Sequence, residues 1–174
     1  KRLASFTLVT QITAAVNMIG QALFQARLPE IGAAFGRRQH RHGARLVVQT
    51  TLLGLGLVVA AYATLFVVLC GLDVPLPEAY RPSLTVLLVA AAANLCFSIH
   101  LQGVQILRNL KRTGTQAGST LFSAGVTVAM SFALGAALGE TGLMIALAAG
   151  FAVQAASSNW LAVRALRAAG RAAR

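Results

Sequence analysis

Charge and hydrophobicity exclude one another along this chain: all 19 charged residues fall in 47 positions, and the other 127 make five uncharged runs of 23 to 27 residues. The runs are Leu3 to Ala26, Leu46 to Leu72, Pro82 to Leu107, Thr113 to Gly139 and Thr141 to Val163. A bilayer's hydrocarbon core of ~30 Å is crossed by about 20 helical residues rising ~1.5 Å each, so every run suffices for one crossing. The pattern predicts an all-α, polytopic transmembrane helix bundle, a single unit (residues 1–174) with five spans at about 3–27, 46–71, 82–107, 114–138 and 141–164.

Composition agrees. The 174 residues are 57% hydrophobic and 11% charged, with mean hydropathy +0.72 and 16 glycines that suit close helix packing in lipid. A soluble helical domain of this size would turn a polar face to water on each helix and would not leave five such stretches uncharged. A net charge of +11 and a pI near 11.7 raise nucleic acid as a partner, but the distribution points to the bilayer instead. Arg27, Arg37, Arg38, Arg41 and Arg45 lie between the first two runs, Arg108, Lys111 and Arg112 between the third and fourth, and Arg164, Arg167, Arg171 and Arg174 at the end. Twelve of the 15 basic residues thus share one side, against Lys1, Arg2 and Arg81 on the other, and the positive-inside rule makes the twelve cytoplasmic. The expected topology is N-terminus out and C-terminus in. Five spans with an external start, and no signal-peptide layout at Lys1, lead to the expectation of a C-terminal piece of something larger.

The loops carry finer expectations. Arg27 to Gly36 reads as a helix end and a short interfacial turn restarting at Pro29, followed by a basic stretch that either meets anionic head groups or simply anchors topology. His40 and His42, two apart, point in different directions on a helix and do not form a metal pair. Pro82 is expected to open the third helix. Gly139-Glu-Thr-Gly142 is so short that the last two spans form an antiparallel hairpin, with Gly135 and Gly139 as a packing pair. Cys70 and Cys96 lie at different depths, which disfavours a disulfide, and both read as packing residues.

Polar residues within the spans are where function is sought, because polar groups in lipid are costly and turn to protein or water. At 100° per residue, Thr7, Thr10, Thr13, Asn17, Gln21 and Gln25 form one stripe on the first span. Asn94, Ser98, Gln102, Gln105 and Asn109 form another on the third. Such stripes either bond to each other as structural glue or line a water-filled cavity, and their length favours the cavity. On the last two spans, Thr120, Ser123, Thr127 and Ser131 can bond back to their own helix, while Gln154, Ser157, Ser158 and Asn159 cluster. His100 points away from the third span's stripe and reads as a packed or lipid-interface histidine. No Asp, Glu, Lys or Arg lies at mid-membrane, and no paired carboxylates, nucleophile-base arrangement, ligand cluster or phosphate loop is visible, which argues against an enzyme and requires no metal or cofactor.

A polar span ending in Ala26-Arg-Leu-Pro-Glu-Ile-Gly32, a basic amphipathic link, two apolar spans around a short outer loop, the turn Lys111-Arg-Thr-Gly114 and the hairpin Gly139-Glu-Thr-Gly-Leu-Met-Ile-Ala146 follow in that order. This order resembles the C-terminal part of the polysaccharide or oligosaccharide flippases of the multidrug/oligosaccharidyl-lipid/polysaccharide exporter superfamily. The resemblance implies a MATE-like transporter of 12 or 14 helices in a bacterial cytoplasmic (inner) membrane, moving a lipid-linked oligosaccharide outward by alternating access. These spans would pack against a missing N-terminal helical bundle. Asn17, Gln21, Gln25, Asn94, Ser98, Gln102 and Gln105 would then line the substrate cavity, and Arg27 and Arg108 would attract the lipid phosphates at its mouth. Amides both donate and accept hydrogen bonds, which suits sugar hydroxyls. A multidrug or metabolite exporter of the same superfamily and a non-transporting membrane subunit remain the alternatives.

Overall fold

The computed structural model describes residues 2–71 and 83–172, and they form five helices: α1 (Arg2–Gly36), α2 (His40–Gly71), α3 (Leu84–Asn109), α4 (Thr113–Leu138) and α5 (Glu140–Ala172). Each is long and apolar enough to cross a membrane. Even 26 residues, the length of α3 and α4, reach about 39 Å at ~1.5 Å per residue.

Several helix ends differ from the sequence expectation. α1 does not stop near Arg27 but runs through Pro29 to Gly36. Proline removes one backbone hydrogen bond and crowds the preceding turn. Beyond it, however, Ile31, Ala34 and Phe35 are buried against Leu46, Val47, Ile106 and Leu107, and that burial holds the helix together. The basic link is accordingly only Arg37 to Gln39, since α2 already starts at His40. α5 likewise continues past Val163 to Ala172, through an Ala-rich segment of high helix propensity. α3 opens at Leu84 rather than Pro82, with Ser83 as N-cap and its Oγ accepting from the Val86 N–H at 3.3 Å. Pro75, Pro77 and Pro82, with the rest of residues 72–82, lie outside the described residues.

The turns after α1 and α3 are built alike. At the first, Arg38 N–H reaches Phe35 O at 3.0 Å and Gln39 N–H reaches Ala34 O at 2.9 Å. At the second, Lys111 N–H reaches Arg108 O at 3.0 Å and Arg112 N–H reaches Leu107 O at 2.8 Å. Both are Schellman closures, which call for a left-handed residue just past the helix, ordinarily glycine. Here Arg38 (φ 60°) and Lys111 (φ 56°) occupy that position.

Two buried clusters fix the helix directions. One joins Phe24, Ile31 and Phe35 of α1, Leu46 and Val47 at the start of α2, Ile106 and Leu107 at the end of α3, and Ala162 of α5. The other joins Val9, Val86, Leu87, Ala90 and Met144, with Tyr62 and Leu65 packed alongside. α1, α3 and α5 therefore run one way and α2 the other, which gathers the ends rich in arginine at the first cluster. α3 is the centre, packed most extensively on α5 and also on α1 and α2, while α4 leans almost entirely on α5.

The α4–α5 hairpin forms as the short connection requires, with Gly139 (φ 60°) as the single residue between the helices. Of the expected packing pair, Gly135 does lie in the seam, where a Cβ would come within 2.9 Å of Leu143, whereas Gly139 makes the turn. Gly142 against the Leu134 carbonyl and Gly150 against Thr127 are further close approaches where a Cβ would collide.

Candidate functional site

The two polar stripes have different fates, and helix geometry explains why. Residues spaced by four drift about 40° around the helix at each step. From Thr13 through Asn17 and Gln21 to Gln25, the α1 stripe turns from the bundle interior to its outside: Thr13 is buried, Asn17 half-buried, and Gln21 and Gln25 exposed.

Its buried part is glue. The Tyr62 hydroxyl of α2 bonds Thr13 Oγ1 at 3.2 Å and accepts from Asn94 Nδ2 of α3, so one phenol ties three helices together. Asn94 is 0% exposed. Its Oδ1, like Asn17 Oδ1, is buried without a protein partner. On α3, Ser98 and Gln105 are buried and Gln102 half-buried, so this stripe faces the bundle's own interior. Asn109 Nδ2 donates back to Gln105 O at 2.8 Å.

The other polar residues seal α5 to its neighbours. His100 is a packed histidine, 6% exposed, with Nδ1 3.1 Å from Ser158 Oγ. One turn along α3, Gly103 lies against the α5 backbone, where a Cβ would come within 2.6 Å of Ser158 C. Asn159 Nδ2 donates to Ile99 O at 2.8 Å across the same crossing. Ser119 and Ser157 meet at 2.6 Å and Gln154 Nε2 donates to Thr120 Oγ1 at 3.3 Å, joining α4 to α5. Ser123 and Thr127 bond back to Thr120 O and Ser123 O. Cys96 is a free thiol, half-buried, whereas the Cys70 side chain falls outside the described ones.

What remains open is one face of α1: Gln11, Ala14, Ala15, Met18, Gln21, Ala22, Gln25 and Ala26. Other outward faces carry far more large apolar side chains, although Gln49 near the start of α2 and Thr120 of α4 are exposed too. α4 exposes Leu121, Phe122, Val128, Phe132 and Leu138, and α2 exposes Leu52, Leu53, Leu57, Val59, Phe66 and Val67, as lipid contact requires. Among the described side chains of α1, Met18 and Ile19 are the large apolar ones exposed, amid three amides and small residues. Arg27, half-buried, ends this face, and Arg108 is exposed at the same end of the bundle.

Two kinds of cavity adjoin the helices. An apolar one of about 380 Å³ between α2 and α3 is lined by Val58, Tyr62, Phe66, Leu87, Leu88 and Leu95, among others. At the basic end, a cavity of about 570 Å³ lies between the start of α2 and the end of α5. Among the described residues, no three His, Cys, Asp or Glu converge as metal ligands.

The sequence reading missed Tyr62 and Gly103. A tyrosine in the middle of an apolar run is itself a signal, since a buried phenol seeks a partner. Gly103 stands in no repeated small-residue pattern and had no such mark.

Together these observations define an all-helical chain with five helices able to span a membrane, the build of a multi-pass membrane protein. No protein family, no curated protein and no solved structure matches it.

Proposed function

We propose that this chain is part of a membrane transporter that flips a lipid-linked oligosaccharide or polysaccharide precursor, and that the open face of α1 is one wall of its path. The observation carrying this reading is the contrast between amide-bearing α1 and the Leu/Phe/Val surfaces of α2 and α4. An uncovered glutamine in hydrocarbon leaves polar atoms unsatisfied, so Gln11, Gln21 and Gln25 call for water or polar ligand groups. A second helical bundle, MATE-like in its relation to this one, would close the far side. Neutral amides recognise hydroxyl-rich glycans, and Arg27 and Arg108 attract phosphate at the mouth. The basic end would be cytoplasmic by the positive-inside rule, in a bacterial inner membrane. The α3 residues Asn94, Ser98, Gln102 and Gln105 would support the wall from within and reach the path only if α1 and α3 part.

The Thr13–Tyr62–Asn94 contact favours a second reading, a non-transporting subunit whose amides meet partner helices. One experiment separates the two. In cells, Gln21→Cys and Gln25→Cys in a Cys-free background should react with a membrane-impermeant, water-soluble thiol reagent at least about tenfold faster than Phe122→Cys, and Gln21→Leu/Gln25→Leu should cut glycan export severalfold with insertion unchanged. Labelling no faster than at Phe122→Cys, or undiminished export, counts against the path.

A further inference from the structure

The basic cavity between α2 and α5 has no part in that wall. His40, Arg41, Ala44, Leu166, Arg167, Gly170 and Arg171 line it. A neighbouring cavity of about 390 Å³ shares His40, Arg41 and Gly170 and adds Arg38, Gln39 and His42. The protein itself builds this arrangement: the three-residue turn after α1 presents Arg38, and the extension of α5 beyond Val163 carries Arg167 and Arg171, spaced by four and so on one side of the helix. Four arginines converge, and neither acidic residue among the described ones, Glu30 or Glu140, lines either cavity. His40 Nδ1 is buried with no protein partner, with the Phe35 ring 5.9 Å from its own. Ala44 and Leu166 add apolar lining beside the arginines.

The geometry points to a site for an anionic phospholipid bearing two phosphodiesters, one in each cavity, bridged across His40, Arg41 and Gly170. Three features select this chemistry. Arginine forks match phosphate oxygens, and clefts of ~300–1,000 Å³ suit ligands of this size. The site lies at the basic end of helices able to span a membrane, where basic pockets between helices meet lipid head groups. Two adjoining arginine sets sharing one arginine fit a ligand with two anionic centres better than one.

The test is native mass spectrometry on the full chain in detergent, titrated with cardiolipin, phosphatidylglycerol, phosphatidylcholine and inorganic pyrophosphate. Cardiolipin should be retained in preference to the other two lipids, and excess pyrophosphate should leave it bound. Arg41→Ala/Arg167→Ala should weaken cardiolipin about thirtyfold, at about fivefold for each arginine near an anionic surface. Arg112→Ala/Arg164→Ala removes the same charge from a separate cavity of about 270 Å³ that shares no residue with these two, and should change it less than threefold. A Cβ at Gly170 meets nothing within 4 Å, so Gly170→Leu fills the shared wall without changing charge and should weaken cardiolipin severalfold even if the arginine pair fails to fold. Equal loss in the two arginine pairs would mean diffuse attraction, equal binding of phosphatidylglycerol a single-phosphate site, and displacement by pyrophosphate a soluble ligand. Each of these, or normal binding by Gly170→Leu, overturns the site. None of them bears on the α1 wall.

Discussion

Gly103→Leu is expected to cost the fold about 3 kcal/mol or more, because backbone cannot move aside as a side chain can. Overfilling a packed core typically costs ~1–3 kcal/mol when neighbours can adjust. Here the colliding atoms are Ser158 C and O and Asn159 N, at 2.6 to 2.8 Å from the first added carbon alone. Parting α3 from α5 also breaks the His100–Ser158 contact and the Asn159 bond to Ile99 O, and α4 goes with α5 because it has little other support. Against a total stability of ~5–15 kcal/mol this is a large fraction. Unfolding of the purified chain in detergent measures it. Gly125→Leu, at a site on α4 with nothing within 4 Å, is the matched control and should be near neutral. Equal stability of the two variants would mean that the α3–α5 crossing is not tight.

The second large effect is expected at Tyr62. Tyr62→Phe removes one oxygen yet strands Asn94 Nδ2 in a fully buried site and leaves Thr13 without its bond to α2. An unpaired buried donor costs ~1–3 kcal/mol, whereas a single interhelical bond in a membrane averages ~0.6 kcal/mol. The loss should therefore exceed that of one bond and approach 2 kcal/mol. Asn94→Leu with Tyr62→Phe removes both partners, and the double variant should recover part of it. A thermodynamic cycle over the four proteins reads the coupling, and strictly additive losses would show that the two side chains do not interact.

The sequence made the fold legible wherever one physical rule dominated. Five apolar runs became five helices, the short Gly139 connection became a hairpin, and the basic residues of Arg27 to Arg45, Arg108 to Arg112 and Arg164 to Arg171 gathered at one end. Rules that compete were harder. Pro29 reads as a break locally, but burial of Ile31 and Phe35 overrides it. The charged ends of α2 and α5 read as loops because charge leaves the hydrocarbon, yet leaving hydrocarbon does not unwind a helix. For the site, the stripe on α1 was visible, but angle alone does not tell which part of a drifting stripe neighbours cover. That depends on where Tyr62 stands on another helix, a fact no local window contains. The seam at Gly103 was invisible for the same reason: its meaning lies 55 residues away, in Ser158.

The left-handed residues after α1 and α3 set a limit on how this chain can be improved. Glycine at either position would relieve roughly 1–2 kcal/mol of steric opposition and is the first change a stability engineer would make. On the orientation proposed above, each such change deletes a cation from the flank that decides which way a nascent segment enters the bilayer. On that proposal a hardier molecule would be one that inserts less faithfully, and Arg38 and Lys111 would mark where orientation outranks ease of folding.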